Sequence, residues 1–260
     1  MNDFLRITSK DNTVIKMISQ LQKSNSKRKK EGLIILEGLR LCVDAVVNGY
    51  AVELMIVSDS AAVKLETAVL KIAESTDSKY LVPDSLFEKI SDTVNPQGIL
   101  CLCKQKTFEL SGLKSNGKYI GLENLQDPSN LGASARTAEA LAIDGIVVSG
   151  GVDPYNSKSL RASMGALLRL PIYQTNDLIG EIKKSNLRSY AAVVHSDDVL
   201  EAGKITFCDG SIIIIGNEAN GLSDEIISRC DYKITIPMNG NAESLNASVA
   251  AAILMWEMVK

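Results

Sequence analysis

The chain has 260 residues, 45% hydrophobic and 23% charged, with a formal net charge of −3. This composition suits a soluble globular protein with apolar material for two cores, and it weighs against a general polycationic nucleic-acid binder. No apolar run approaches the roughly 20 residues of a membrane-spanning helix. The opening MNDFLRITSK has no apolar signal core, so a cytoplasmic location is expected.

The first hundred residues alternate helix and strand. Val14, Ile15, Ile18 and Leu21 have helical spacing over 12–21, and 33–36 is a short apolar strand. A helix over 40–48 stops at Gly49; a strand over 53–57, helices over 61–73 and 86–90, and a strand over 98–103 follow. This is a small α/β unit, assigned to residues 1–106. The five cysteines form no CxxC pair, and Cys101 and Cys103 alternate in GILCLC. They are expected to be buried thiols on one strand face, with neither a disulfide nor a metal site. Residues 1–30 hold eight Lys/Arg against two Asp/Glu. Their cluster Lys27, Arg28, Lys29 and Lys30 reads either as a solvated helix end or as a phosphate-binding patch, and the second reading needs RNA to be implied elsewhere.

A polar stretch with Ser-Gly and Asn-Gly steps marks a linker at 107–117. Residues 118–260 read as a parallel α/β sheet. Its strands lie near 119–122, 145–148, 190–194, 212–215 and 233–236, and its helices near 132–141, 160–168, 178–185, 224–230 and 244–259. The strands are continuous apolar runs, as expected for a sheet covered on both faces, and ligands of such sheets sit at the carboxyl ends of the strands.

The residues after three of those strands are distinctive. After 119–122, Asp127-Pro128 turns the chain, and Asn130 or Gly132 begins a helix with Arg136 near its positively polarised start. After 212–215 come Gly216, Asn217, Glu218, Asn220, Gly221 and Ser223, the last a natural N-cap. After 233–236 a long polar loop reaches Ser244, an expected N-cap, with Leu245 and Asn246 beginning the last helix. That helix is apolar on two faces. Leu245, Val249, Ile253 and Trp256 lie on one, expected to meet the sheet. Ala251, Met255 and Met258 lie on the other, expected to meet a twofold partner.

Together NLGASARTA (130–138), IIIIGNEANGLS (212–223) and IPMNGNAESLNASVA (236–250) resemble the three signature motifs of the SpoU (TrmH-like) family of RNA ribose 2′-O-methyltransferases, in the SPOUT class, in order and spacing. More loosely, ITSKDN (7–12) and IILEGLRL (34–41) resemble the ribosomal-protein-like substrate-binding domain of that family. The resemblance implies a deep trefoil knot in the C-terminal part, with the chain near 237–246 passing through a loop, although general rules make knots nearly absent. It implies S-adenosylmethionine held by Gly216, Asn217, Ile236, Ser244 and Leu245, without a metal. It implies catalytic roles for Arg136, Asn130, Glu218 and Asn246, and a homodimer in which the Asn130/Arg136 segment of one chain approaches the donor pocket of the other. Large-subunit ribosomal RNA is favoured as substrate over transfer RNA because of the extra N-terminal domain. The alternatives are a transfer-RNA enzyme, a non-catalytic RNA-binding relative, and a nicotinamide oxidoreductase suggested by Ser149-Gly150-Gly151 but lacking GxGxxG after an early strand. His195, the single histidine, reads as a loop residue lining the donor pocket rather than a general base. Arg161, Ser163 and Gly165 also match a family segment and either contact RNA or pack a helix.

Overall fold

The computed structural model describes residues 3–194, 196 and 198–260. It divides into two units: the chain up to Lys106 with Tyr155–Leu160, and Thr107–Pro154 with Arg161–Lys260.

The first unit runs β1 (Leu5–Arg6), α1 (Thr13–Lys23), α2 (Asn25–Glu31), β2 (Leu33–Glu37), α3 (Leu39–Val47), β3 (Val52–Ser58), α4 (Asp59–Lys64), α5 (Glu66–Ala73), β4 (Lys79–Val82), α6 (Asp84–Ile90) and β5 (Ile99–Lys104). Its sheet order is β1-β4-β3-β5-β2, with β5 antiparallel to both neighbours. Ile18 and Leu21 of α1, Phe87 and Ile90 of α6 and Ile56, Leu100 and Leu102 of the sheet form one core. Cys101 and Cys103 are free and buried. The neighbouring Cys42 thiol and burial push Cys101 well up, and burial does the same to Cys103, so neither is a ready thiolate.

The second unit runs β6 (Lys118–Glu123), α7 (Pro128–Ala140), β7 (Gly145–Ser149), α8 (Ser157–Ala162), α9 (Ala166–Arg169), β8 (Ile172–Thr175), α10 (Leu178–Ser185), β9 (Arg188–Ala192), β10 (Leu200–Glu201), β11 (Ser211–Ile215), α11 (Asp224–Arg229), β12 (Tyr232–Thr235) and α12 (Ala247–Val259); the residues of α8 before Arg161 cluster with the first unit. Its seven strands are all parallel, in the order β10-β12-β9-β11-β6-β7-β8. Every residue of β11 is buried, which is why its sequence is SIIII and not an alternating pattern.

Three expectations need correction. Helix α7 begins at Pro128 with Asp127 as N-cap, its carboxylate accepting from Ser129 N at 2.8 Å. Arg136 therefore lies two turns inside it, beyond the reach of the helix-end dipole. The N-cap of α12 is Asn246, which accepts from the Ser248 and Val249 amides; Ser244 lies in the preceding loop. The faces of α12 are exchanged: Ala251, Leu254, Met255 and Met258 are buried, whereas Val249 and Trp256 are 45% and 58% exposed.

Candidate active site

The turn after β11 is built from its own sequence. Asn217 and Gly221 exchange backbone hydrogen bonds of 2.9 Å in each direction, closing a small hairpin over Glu218, Ala219 and Asn220. Asn217 Oδ1 accepts from the Ala219 and Asn220 amides at 2.8 and 3.3 Å, and its Nδ2 donates to Asn124 O at 2.8 Å. A Cβ on Gly216 would stand 2.1 Å from Gly221 C and 2.2 Å from Leu222 N, so only glycine fits where the strand end meets that hairpin. Asn124, after β6, has φ +52°, a conformation asparagine tolerates better than most residues.

Glu218 projects from this hairpin to the start of α7. It accepts from Gln126 N (2.9 Å), Asp127 N (3.1 Å) and Asn130 Nδ2 (2.7 Å). Burial pushes its carboxyl up, but those three donors, with its own backbone amide, outweigh burial and lower its pKa from the ordinary glutamate value. The buried Asn130 then accepts from Asn246 Nδ2 at 2.9 Å, and Asn246 caps α12. Glu218, Asn130 and Asn246 thus form one chain of hydrogen bonds joining the three distinctive segments. A second carboxylate repeats the device: Glu123, buried at the end of β6, accepts from Ser223 N (2.9 Å) and Ser223 Oγ (2.6 Å), while Ser223 caps α11. Nothing in the sequence singled out Glu123 or Asn124, because a pairing between separate strand ends leaves no local periodicity.

Beside this network, at the carboxyl ends of β9, β11 and β12, lies a cavity of about 660 Å³, within the range of small-molecule sites. Its walls include the apolar Ile215, Leu222, Ile234 and Leu254, and Gly216, Asn217, Ile236, Ser244 and Leu245 all line it. Glu218 and Asn246 reach it as well; Asn130 and Arg136 do not line it. Among the described lining residues Glu218 is the only charged one. Among the described residues the slot is apolar, edged by amides and one carboxylate with no lysine or arginine, which fits a flat nucleoside carrying a positive sulfonium. The residues therefore suit S-adenosylmethionine. Among the described residues no group of three or more His, Cys, Asp or Glu could hold a metal ion.

Arg136 is exposed on α7, and no hydrogen bond or ion pair joins it to another described residue. Of the basic cluster, Arg28 is buried, and its Nη1 donates to Leu21 O (2.7 Å) and Gln22 O (3.1 Å). Lys27 bonds Gln20 and faces Glu31 at 3.9 Å, leaving Lys29 and Lys30 exposed. His195 falls outside the described residues.

The sequence was compared with known proteins. The profile of the SpoU rRNA methylase family matches residues 117–256, and that of an MRM3-like substrate binding domain matches residues 12–101. The Bacillus subtilis 23S rRNA guanosine 2′-O-methyltransferase RlmP is 27% identical, over 97% of this chain and 98% of that one. An uncharacterised tRNA/rRNA methyltransferase of Synechocystis is 30% identical, over 98% and 94%. Among solved structures, the AdoMet-bound rRNA methyltransferase from Sinorhizobium meliloti superposes with a TM-score of 0.87 at 26% identity, covering 98% of this chain and 97% of that one. With the three motif segments joined around one cavity and the family profile spanning more than half the sequence, the chain belongs to the SpoU rRNA methylase family.

Proposed function

We propose that the protein is an S-adenosylmethionine-dependent RNA methyltransferase that methylates a ribose 2′-hydroxyl, with large-subunit ribosomal RNA as substrate. The observation that carries this reading is the Glu218–Asn130–Asn246 network, which ties all three motif segments to the rim of a cavity suited to the methyl donor. The relatives named above are methyltransferases of ribosomal RNA, or of transfer or ribosomal RNA. Residues 1–106 would capture RNA, 107–117 would link, and 118–260 would bind the donor and catalyse. The C-terminal sheet would carry the trefoil knot of the class, with the chain near 237–246 threaded. The active form would be a cytoplasmic homodimer.

When bound, S-adenosylmethionine supplies an electrophilic methyl group. The chain must position a weakly nucleophilic ribose hydroxyl in line with it and ease loss of the proton. Gly216, Asn217, Ile236, Ser244 and Leu245 hold the donor. Glu218 is unsuited to act as the base, because its ionised oxygens already accept three hydrogen bonds. Its work, with Asn130 and Asn246, is to fix α7 against the donor loops. Arg136 is a permanent cation and a poor base. Its guanidinium orients the neighbouring phosphate and stabilises the developing alkoxide.

The test is direct. Calorimetry should show S-adenosylmethionine binding that a chelator leaves unchanged, and labelled methyl should appear on ribose in a large-subunit rRNA transcript. Absence of donor binding, its loss on chelation, or label on a base in place of ribose refutes the reading.

A further inference from the structure

We infer that Met164 is a substrate-contact residue whose thioether packs on a nucleobase beside the nucleotide held by Arg136; this rests on the RNA reading above. Residues 160–168 have the spacing of one helix, but the structure breaks it between α8 and α9. Met164 takes φ +52° and Gly165 φ +89°. Glycine enters that region freely, whereas methionine does so at a cost that local packing must meet. The preceding Ser163 is fully buried, yet the apolar Met164 side chain is 38% exposed. The turn thus holds a strained backbone and turns a large apolar side chain outward.

The turn is also locked to α7. Met164 O accepts from Arg169 Nη2 at 3.3 Å. The same guanidinium grips Glu139 with two bonds, Nη2 to Oε2 at 2.8 Å and Nε to Oε1. Glu139 lies three residues after Arg136, and such a pair shares one helix face. One half-buried ion pair therefore ties the backbone of the Met164 turn to the stretch of α7 that carries Arg136, a cation with no ionic partner among the described residues. An exposed guanidinium and an exposed thioether on two segments tied in this way match the two parts of a nucleotide. The guanidinium takes a phosphate, and the polarisable sulfur packs against an aromatic base. Glu139 and Arg169 act through Met164 and Arg136 as positioning residues.

The experiment compares wild type, Met164→Gly and Met164→Leu on an unmodified large-subunit rRNA transcript at saturating S-adenosylmethionine. Glycine suits the φ +52° backbone, so Met164→Gly should fold and melt within about 2 °C of wild type, the relief of strain offsetting lost contacts and added chain freedom. Its KM for RNA should rise about three- to tenfold, with kcat within about twofold and unchanged donor affinity. Met164→Leu keeps an apolar side chain and should retain most of the RNA affinity. An unchanged KM in Met164→Gly overturns the proposal while leaving the function intact. A shift in the dimer–monomer equilibrium, with KM changing only in step with it, makes Met164 an interface residue and also overturns it. A wild-type protein that methylates no RNA refutes the function itself, and this proposal with it.

Discussion

Glu218 is the acidic side chain that a search for a general base would choose, since among the described residues it is the charged group at the cavity rim. Its partners assign it another task. Three donors converge on it from the start of α7, and its proton affinity is lowered accordingly. A group with a lowered native pKa stabilises the fold above its unfolded pKa and loses that contribution as pH falls through the native value. Glu218→Gln keeps the shape but gives up the charge. At pH 7 it should cost about 1 kcal/mol, discounted for the exposure of the side chain. The difference from wild type should shrink below about pH 4.5, the ordinary glutamate value, as the carboxylate protonates in the unfolded chain, and vanish once pH falls through the lower native value. Denaturant titrations of the two proteins at pH 7 and pH 4 measure this. A gap that is constant or grows in acid would show that Glu218 is not held ionised. Sequence reasoning found Glu218, Asn130 and Asn246 because each follows a strand end, but not the order in which they bond. That order depends on which strand lies beside which, and adjacency is absent from local spacing.

Helix α2 shows why some elements were invisible. Its sequence, NSKRKKE, has no apolar periodicity. It exists because Ser24 caps its first turn, accepting from Lys27 N at 3.2 Å, and Gly32 closes it at φ +63°. The cluster on it then divides. Arg28 turns inward and satisfies two carbonyls at the end of α1, so Arg28→Ala should destabilise by roughly 1–3 kcal/mol by stranding them. Lys29 and Lys30 face solvent. The double change Lys29→Ala, Lys30→Ala should leave the melting temperature and donor affinity alone while weakening RNA binding. The log–log salt slope should flatten by up to about two units, somewhat under one per lost phosphate contact. Filter binding at several salt concentrations reads the slope. If it matches wild type, the helix is a solvated surface feature. Strand β8 was missed for a different reason: in its sequence IYQT only Ile172 and Tyr173 are apolar and buried, so it lacks the continuous apolar run that marked the other strands of its sheet.

At the scale of the molecule, the parallel sheet was legible because its strands are continuous apolar runs separated by helices, a pattern that permits few topologies. A thread through a loop leaves no such mark, so the proposed knot rests on family resemblance alone. The assembly can be argued from surfaces. Helix α12 buries Ala251, Leu254, Met255 and Met258 and leaves Val249 and Trp256 exposed, a large apolar stripe for a partner to cover. Arg136 does not line the cavity of its own chain and has no ionic partner among the described residues. Both facts fit a twofold dimer in which Arg136 serves the neighbouring donor pocket. Complementation decides it. Arg136→Ala should bind donor yet lose methyl transfer, and Asn246→Ala should lose it by uncapping α12 and freeing Asn130. In a mixed dimer one site then combines the intact Arg136 of one chain with the intact Asn246 of the other, and part of the wild-type activity should return. Heterodimers that form, as native mass spectrometry would show, yet stay inactive would place Arg136 and the donor in the same subunit.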